Sequence, residues 1–214
     1  MELRQYIDHT LLAPTATPEN VLQLCEEAKQ YHFYAVCVNS CYVSLASNAL
    51  LDTPIKVAAT VGFPLGAASS KSKRSEAEQA IKDGAHEIDM VLNIGLLKSQ
   101  QYKNVHEEIT AIKEVIGNAV LKVIIETCFL TDEEKRIACS IAAKAGAQYV
   151  KTSTGFGTGG ATLDDVALMV EEVGPSVKVK ASGGIKDVKT ARKFIALGAS
   201  RIGTSSGIAI VSET

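Results

Sequence analysis

The chain has 214 residues, of which 46% are hydrophobic and none is tryptophan, and this is enough to bury a substantial core. Its 22 basic and 24 acidic residues are spread along the sequence and give a net charge of −2, which excludes a basic face for nucleic acid or acidic membranes. The N-terminal segment MELRQYIDHT carries charges where a signal peptide needs an apolar region, and no apolar stretch is long enough to span a bilayer. The sequence therefore predicts a cytosolic protein with no nucleic-acid or membrane partner.

Eight short apolar runs are typical of β-strands, and helical patterns lie between them. The predicted strands are residues 7–9, 34–38, 56–61, 87–92, 121–126, 149–151, 177–181 and 201–203. Three helices have recognisable starts: Thr17 before a proline, Thr131 with Glu134 as a capping box, and Thr162 before two acidic residues. We interpret the apolar face of the helix after Thr162, residues 166, 169, 170 and 173, as core packing and not as a cofactor site.

A Gly-Ala phrase recurs along the chain, at Gly84, Gly146 and Gly198. Each glycine suits the left-handed position that ends a helix. The spacing between successive glycines corresponds to about two βα units, if one unit has ~30 residues. No linker or low-complexity run divides the chain. Eight strands alternating with helices predict one (β/α)8 (TIM) barrel domain over residues 1–214. The alternatives are an open doubly wound sheet and, less favoured, two small domains.

Charged residues close several predicted strands, and the active site of such a barrel lies where the strands end. Asp8 closes the first strand, Asp89 lies in EIDMV, Lys151 closes QYVK, and Lys180 follows in KVKAS. A lone strand lysine is more often part of a structural ion pair, but Lys151 and Lys180 end neighbouring strands about 5 Å apart. Mutual repulsion and burial both lower a lysine pKa, and a neutral lysine attacks carbonyl carbon. The pair predicts a nucleophilic lysine.

Two other charged residues lie near strand ends. We expect Glu126, after the apolar run KVII, to be a partner of the lysines, with an ordinary surface carboxylate as the alternative. Lys178 lies near the start of its strand, so we expect it to be solvated at the opposite end of the barrel.

Glycine-rich loops follow the last three predicted strands. Gly155, Gly157 and Gly160 match the dinucleotide pattern G-x-G-x-x-G, but the unit is sixth in the chain and the next strand has no acidic residue for a ribose. We interpret these loops, with SGG at residues 182–184 and GTSS at residues 203–206, as a phosphate cradle. For each loop alone, an ordinary turn is the alternative.

The cysteines and histidines lack the spacing of a disulfide framework or a metal site. The five cysteines are odd in number and include no C-x-x-C pair; they are Cys25, Cys37, Cys41, Cys128 and Cys139. The four histidines show no H-x-x-x-H spacing. We therefore expect no tightly held metal ion and no cofactor.

Five segments together resemble the family of 2-deoxyribose-5-phosphate aldolases, class I (Schiff-base) aldolases with a (β/α)8 barrel. They are IDHTLL, VGFPLG, EIDMV, VKTSTGF and KASGG, at residues 7–12, 61–66, 87–91, 150–156 and 180–184. The resemblance covers nearly the whole chain. Some members of the family end in a tail with a terminal tyrosine thought to assist proton transfer, whereas this chain ends in SGIAIVSET, so either it works without the tyrosine or it is shortened.

The resemblance implies a role for each matching residue. Lys151 matches the lysine that forms the imine, Lys180 the second lysine, and Asp89 the acid that works with Lys180 and a water in the proton relay. The resemblance further implies a substrate pocket and a phosphate site; their residues are Asp8, Thr10, Cys37 and Thr154 for the pocket, and Gly155, Gly183, Gly184, Ser205 and Ser206 for the phosphate. On sequence alone, Cys37 is a small buried hydrophobic residue.

The implied activity is the reversible cleavage of 2-deoxy-D-ribose 5-phosphate to D-glyceraldehyde 3-phosphate and acetaldehyde, a step of deoxyribose phosphate catabolism, by a homodimer. Two other hypotheses stay open. One is another phosphate-binding barrel, such as a transaldolase-like enzyme or an isomerase; the other is a sugar-phosphate binder with an inert Lys151.

Overall fold

In the computed structural model, which describes residues 2–212, eight parallel strands pair in chain order and close into a barrel. The strands are β1 (Ile7–Leu11), β2 (Ala35–Val38), β3 (Lys56–Val61), β4 (Glu87–Val91), β5 (Val120–Ile124), β6 (Tyr149–Lys151), β7 (Lys178–Ser182) and β8 (Ala199–Thr204). The predicted (β/α)8 barrel is confirmed, and the open doubly wound sheet is wrong because β1 pairs with both β2 and β8. The end of the SGIAIVSET tail, residues 213 and 214, lies outside the described residues.

Helices follow the strands around the barrel. They are α1 (Pro18–Tyr31), α2 (Val43–Ala49), α3 (Ser70–Lys82), α4 (Ile94–Lys98), α5 (Tyr102–Ile116), α6 (Asp132–Lys144), α7 (Leu163–Val173), α8 (Val188–Ala196) and α9 (Gly207–Ser212). Short 3-10 turns lie at Leu3–Tyr6, Ser40–Tyr42, Thr127–Phe129 and Gly174–Ser176. Within residues 2–212, no helix has the length and apolar character needed to cross a membrane.

The predicted helix starts and stops are confirmed. The side chains of Thr17, Thr131 and Thr162 each accept a hydrogen bond from the backbone N–H three residues later, which satisfies a donor that the first turn leaves free. At the other end, α3, α6 and α8 are followed by Gly84, Gly146 and Gly198, all with φ between 88° and 108°, a region that favours glycine. These signals are local, which is why the sequence alone predicts them.

The apolar core lies between the strands and the surrounding helices. Val166, Met169 and Val173 of α7 are buried and Val170 is half-buried, so the interpretation of this face as core packing is confirmed. Each such side chain contributes about 1.5–3 kcal/mol by its removal from water. Because the apolar core lies outside the strands, polar side chains can occupy the interior of the barrel.

A buried ion pair joins α3 and α5 behind the end of β4. Lys73 Nζ lies 2.8 Å from Glu108 Oε2 and donates a second hydrogen bond, also 2.8 Å, to the carbonyl oxygen of Val91. Both side chains are inaccessible to solvent. The pair thus connects two helices to the C-terminal end of a strand that carries Asp89.

We predict that Lys73→Met lowers the free energy of unfolding by about 3–5 kcal/mol, because it leaves the Glu108 carboxylate buried without its partner. Urea unfolding at pH 7 measures the change. Lys82→Met is the control: Lys82 makes an exposed pair with Glu78 one turn away, and its loss should not measurably change stability. Equal losses in the two variants would contradict the role given to the buried pair.

Candidate active site

Seven ionisable side chains fill the barrel interior and form what we call the charge cluster. They are Asp8 of β1, Glu87 and Asp89 of β4, Lys122 of β5, Lys151 of β6, Lys180 of β7 and Arg201 of β8. None is more than 3% exposed. Buried charges are tolerated when they are paired and hydrogen-bonded, and here three carboxylates face four cations.

Asp89 lies at the centre of the charge cluster. Its Oδ1 accepts a hydrogen bond from Lys122 Nζ at 2.6 Å, and its Oδ2 accepts from Lys151 Nζ and from Lys180 Nζ, each at 2.8 Å. Burial alone would raise the pKa of this carboxyl, but attraction to the three lysines outweighs burial and holds the pKa well below its ordinary value. Asp89 is therefore a carboxylate at neutral pH, and it links Lys151 directly to Lys180.

Asp8 forms the second junction of the charge cluster. Its Oδ2 lies 2.5 Å from Lys180 Nζ, and its Oδ1 lies 2.6 Å from Arg201 Nη1. Although burial acts in the opposite direction, the cations Lys180 and Arg201 lower the pKa of Asp8 to about 2.

The expected lowering of the Lys180 pKa is wrong. Burial does disfavour the ammonium, but the attraction of Asp8 and Asp89 exceeds both burial and the repulsion from Lys122, so the pKa of Lys180 is raised. The prediction considered the two strand-ending lysines and not the carboxylates that β1 and β4 bring against them.

Sequence analysis missed three members of the charge cluster. Glu87 Oε2 lies 2.5 Å from Lys122 Nζ, and Glu87 Oε1 lies 3.2 Å from Arg201 Nη2. The guanidinium carbon of Arg201 lies 3.5 Å from the ring centroid of Tyr34. A signal was present, since residues two apart on a strand share a face and Glu87 is two residues before Asp89; Lys122 is the β5 residue in register with Asp89.

A cavity of about 380 Å³ opens at the C-terminal ends of the strands, above the charge cluster. Of the predicted site residues it is lined by Thr10, Lys151, Thr154, Gly155, Gly183, Gly184 and Ser205. The predicted residues Asp8, Cys37, Asp89 and Lys180 are buried and do not line it. Lys151 is therefore the point at which the cluster reaches the cavity.

Ser206 and Lys186 differ from the expected arrangement. Ser206 does not line the cavity, and its backbone N–H already donates a hydrogen bond of 2.9 Å to Thr204 Oγ1. Lys186, which sequence analysis did not single out, lines the cavity two residues after Gly184. The sequence did contain an indication of this residue, because Lys186 is a cation that closely follows the SGG turn.

Close backbone packing accounts for Gly160. A Cβ at this position would lie 2.3 Å from the carbonyl oxygen of Gly183, and the N–H of the next residue, Ala161, donates to that oxygen at 3.1 Å. Gly183 itself has φ +88°. The glycines thus bring the loops after β6 and β7 into direct contact beside the cavity.

Cys37 is fully buried beneath the cavity, as expected of a small hydrophobic residue. Its Sγ lies 4.0 Å from Asp89 Oδ2, and burial, with the nearby Asp89 charge, raises the thiol pKa. All five cysteines are free thiols. In residues 2–212, no group of three or more histidine, cysteine, aspartate or glutamate side chains is placed to hold a metal ion.

The two other charged residues have different outcomes. Glu126 makes no direct ion pair with a lysine: its buried carboxylate accepts hydrogen bonds from the backbone N–H and the hydroxyl of Thr154. It acts on the lysines only at a distance, since burial raises the Glu126 pKa while attraction to Lys151 acts weakly in the opposite direction. Glu126 has a left-handed backbone, with φ 53°. The expectation for Lys178 is confirmed, because its side chain is exposed and its Nζ lies 5.8 Å from the Tyr149 ring centroid.

The sequence matches the model of the DeoC/LacD family of aldolases over residues 3–213. It is 56% identical over 213 residues to the deoxyribose-phosphate aldolase of Coprothermobacter proteolyticus, covering 100% of this chain and 97% of that protein. The chain belongs to the DeoC/LacD aldolase family. It is also 54% identical to the deoxyribose-phosphate aldolase of Clostridium tetani over the full length of both chains.

Solved structures agree with this assignment. The deoxyribose phosphate aldolase of Aeropyrum pernix, described as having a unique tetrameric structure, superposes with a TM-score of 0.92 at 34% identity. The match covers 99% of this chain and 90% of that one. This aldolase therefore shares its barrel with family members over almost its whole length.

We predict that the aldolase loses stability as the pH falls from about 4 towards 2. The pKa of Asp8 is about 2 in the folded protein and 3.8 as its ordinary value, so its carboxylate stabilises the fold above pH 4 by about 2 kcal/mol, and protonation removes this contribution at lower pH. Asp89 acts in the same direction. Urea unfolding at pH 7, 5, 4 and 3 measures the loss. An unfolding free energy that stays constant down to pH 3 would contradict the prediction.

Proposed function

We propose that this aldolase cleaves 2-deoxy-D-ribose 5-phosphate reversibly to D-glyceraldehyde 3-phosphate and acetaldehyde, through a Schiff base on Lys151. The observation that carries the proposal is that, among the four cations of the charge cluster, Lys151 lines the cavity while Lys122, Lys180 and Arg201 do not. The deoxyribose-phosphate aldolases of Coprothermobacter proteolyticus and Clostridium tetani, similar over their full length, support the substrate.

Position separates the two strand-ending lysines. Lys151 lines the cavity, whereas Lys180 is buried and paired with Asp8 and Asp89. Lys180 stays an ammonium, because Asp8 and Asp89 raise its pKa. The free amine of Lys151 can then attack the C1 aldehyde of the open-chain sugar, and loss of water forms the imine.

The protonated imine acts as the electron sink for the cleavage. A base takes the proton of the C3 hydroxyl, the C2–C3 bond breaks, and its electron pair moves towards the imine nitrogen to form an enamine. Carbon 3 becomes the aldehyde carbon of glyceraldehyde 3-phosphate. Protonation of the enamine at C2 and hydrolysis by one water then release acetaldehyde and restore the Lys151 amine.

We assign the proton relay of these steps to Asp89 and Lys180. Asp89 Oδ2 lies 2.8 Å from both lysine nitrogens, so a proton can pass between the two lysines and a water through one carboxylate oxygen. Because the pKa of Asp89 is held well below its ordinary value, Asp89 orients and transmits protons and does not store one. Cys37 Sγ lies 4.0 Å from Asp89 Oδ2, and Asp8 accepts a hydrogen bond from Lys180, so both residues border this relay.

The loops around the cavity are suited to the phosphate. Gly155, Gly183 and Gly184 have positive φ and line the cavity with Ser205, and exposed backbone N–H groups and hydroxyls bind phosphate oxygens in such loops. Lys186 adds a positive charge at the same wall. Ser206 does not line the cavity, and its backbone N–H is already used by Thr204 Oγ1, so we give it no direct contact with the phosphate.

For the assembly we propose a homodimer. The Aeropyrum pernix relative is described as tetrameric, so light scattering after size exclusion, which separates twice from four times the mass of one chain, tests this part of the proposal.

We predict that incubation with acetaldehyde followed by borohydride reduction adds one ethyl group to Lys151, located by peptide mass spectrometry. Lys151→Ala should carry no adduct and should lose at least about 10³-fold of the cleavage rate, because it lacks the amine that forms the covalent intermediate. Lys178→Ala, which removes an exposed lysine, should label and turn over as the unmodified protein does.

Other outcomes would contradict the proposal and identify its replacement. Thermal stabilisation by the sugar phosphate without an adduct would indicate a binder with an inert lysine. Turnover of longer sugar phosphates with no acetaldehyde adduct would indicate a transaldolase-like enzyme or an isomerase.

A further inference from the structure

Glu126 occupies an unusual backbone position beside the cavity. It follows β5 by two residues and has φ 53°, a left-handed conformation that side chains other than glycine, asparagine and aspartate rarely adopt. Glu126 is only 1% exposed to solvent. Strained backbone that persists at one residue indicates that the surrounding contacts select it.

Apart from Cys128 Sγ, which lies 4.0 Å from Glu126 Oε1, those contacts are made to one loop. Both carboxylate oxygens of Glu126 accept from the backbone N–H of Thr154 at 3.2 Å, and Oε2 also accepts from the Thr154 hydroxyl. Thr154 Oγ1 in turn accepts from the backbone N–H of Phe156 at 3.0 Å. The carboxylate therefore holds the backbone at two positions on either side of Gly155.

The same loop packs against the carboxylate from above. A Cβ at Gly157 would lie 3.2 Å from Glu126 Cδ and 2.9 Å from Cys128 Sγ, so the loop approaches too closely for a side chain. We call residues 154–157 the clamped loop. Thr154, Gly155 and Phe156 all line the cavity, together with Lys151.

We propose that Glu126 is a positioning residue that holds the clamped loop in the conformation that receives the phosphate of the substrate. The inference rests on the proposed function, because it takes Gly155 as part of the phosphate site. Glu126 does not line the cavity and makes its hydrogen bonds to Thr154, whereas Lys151 makes its ion pair with Asp89. Loss of the Glu126 carboxylate should therefore weaken binding of the phosphate end and leave the chemistry at Lys151 in place.

The test compares 2-deoxyribose 5-phosphate with 2-deoxyribose, which lacks the phosphate. For Glu126→Ala we expect KM for the phosphorylated sugar to rise about tenfold or more, the loss expected for one or more hydrogen bonds to a charged acceptor. We expect kcat/KM for 2-deoxyribose to change less than about twofold, since that substrate makes no use of the phosphate site. Circular dichroism and thermal unfolding establish that each variant is folded.

Conservative variants separate this role from a general loss of structure. Glu126→Gln keeps an acceptor for the Thr154 N–H and a group that can pair with its hydroxyl, so it should restore most of the affinity. Thr154→Ser keeps the hydroxyl that donates to Glu126, so its KM for the phosphorylated sugar should be lower than that of Thr154→Val, which removes the hydroxyl and should raise KM as Glu126→Ala does. Glu114→Ala, which removes an exposed glutamate of α5, should change nothing.

Two results would overturn the inference: equal losses on both sugars in Glu126→Ala, or an unchanged KM for the phosphorylated sugar. If Glu126→Ala does not fold, the comparison of Thr154→Val with Thr154→Ser decides by the same criterion. Acetaldehyde trapping on Lys151 in the unmodified protein keeps the two proposals apart. If no adduct forms, the proposed function is refuted. If the adduct forms but Glu126→Ala does not affect 2-deoxyribose 5-phosphate more than 2-deoxyribose, only the role of Glu126 is refuted.

Discussion

The balance of charge inside the barrel is the constraint on which the rest of this structure depends. Three carboxylates and four cations lie in a space closed to solvent, and none of them would be stable there without the others. Asp89 contacts three lysines, and Asp8 contacts two lysines and an arginine. Each strand that contributes a charge must therefore keep its register, because a shift of one residue would turn the side chain to the outside and leave its partners unpaired.

This arrangement also separates structural charges from a reactive one. Arg201, Lys122 and Glu87 form the lower part of the charge cluster, closed by the ring of Tyr34. Lys151 is at the opposite end, beside the cavity. Lys180, Arg201 and Lys122 lower the pKa of Asp8, and Lys122, Lys151 and Lys180 lower that of Asp89. These two carboxylates in turn raise the pKa of Lys180. Lys151 is thus the one lysine of the charge cluster that lines the cavity.

The loops and strand ends above the charge cluster are held by other interactions, namely close backbone packing and buried carboxylates. Gly160 and Gly183 bring two loops into contact, and the Glu126 carboxylate supports a third segment through Thr154. At the end of β4, the buried pair of Lys73 and Glu108 fixes the carbonyl of Val91. Contacts outside the charge cluster therefore hold the loops and the end of β4 in place, while the ion pairs inside the barrel hold the charged side chains.

Much of the fold and part of the site follow from the sequence because their signals are local or repeat regularly. The caps at Thr17, Thr131 and Thr162 need a few consecutive residues. Lys151 and Lys180 could be placed together because the ends of neighbouring parallel strands meet at one edge. The five family segments, each a few residues long, indicate the aldolase family for the same reason.

Only the tertiary structure decided which partners these residues meet. Lys122, Glu87 and Arg201 lie within strands, where the sequence does not say which side chain faces which strand across a closed barrel. The direction of the Lys180 pKa depended on carboxylates from β1 and β4, far from it in the chain. Glu126 makes its hydrogen bonds to Thr154, in the loop after β6, and no direct ion pair with a lysine. The sequence by itself determined the order of the elements and the residue types at the strand ends, since these depend on neighbouring residues. The structure decided the pairing of charges, because electrostatic interactions depend on distances in space that barrel closure sets.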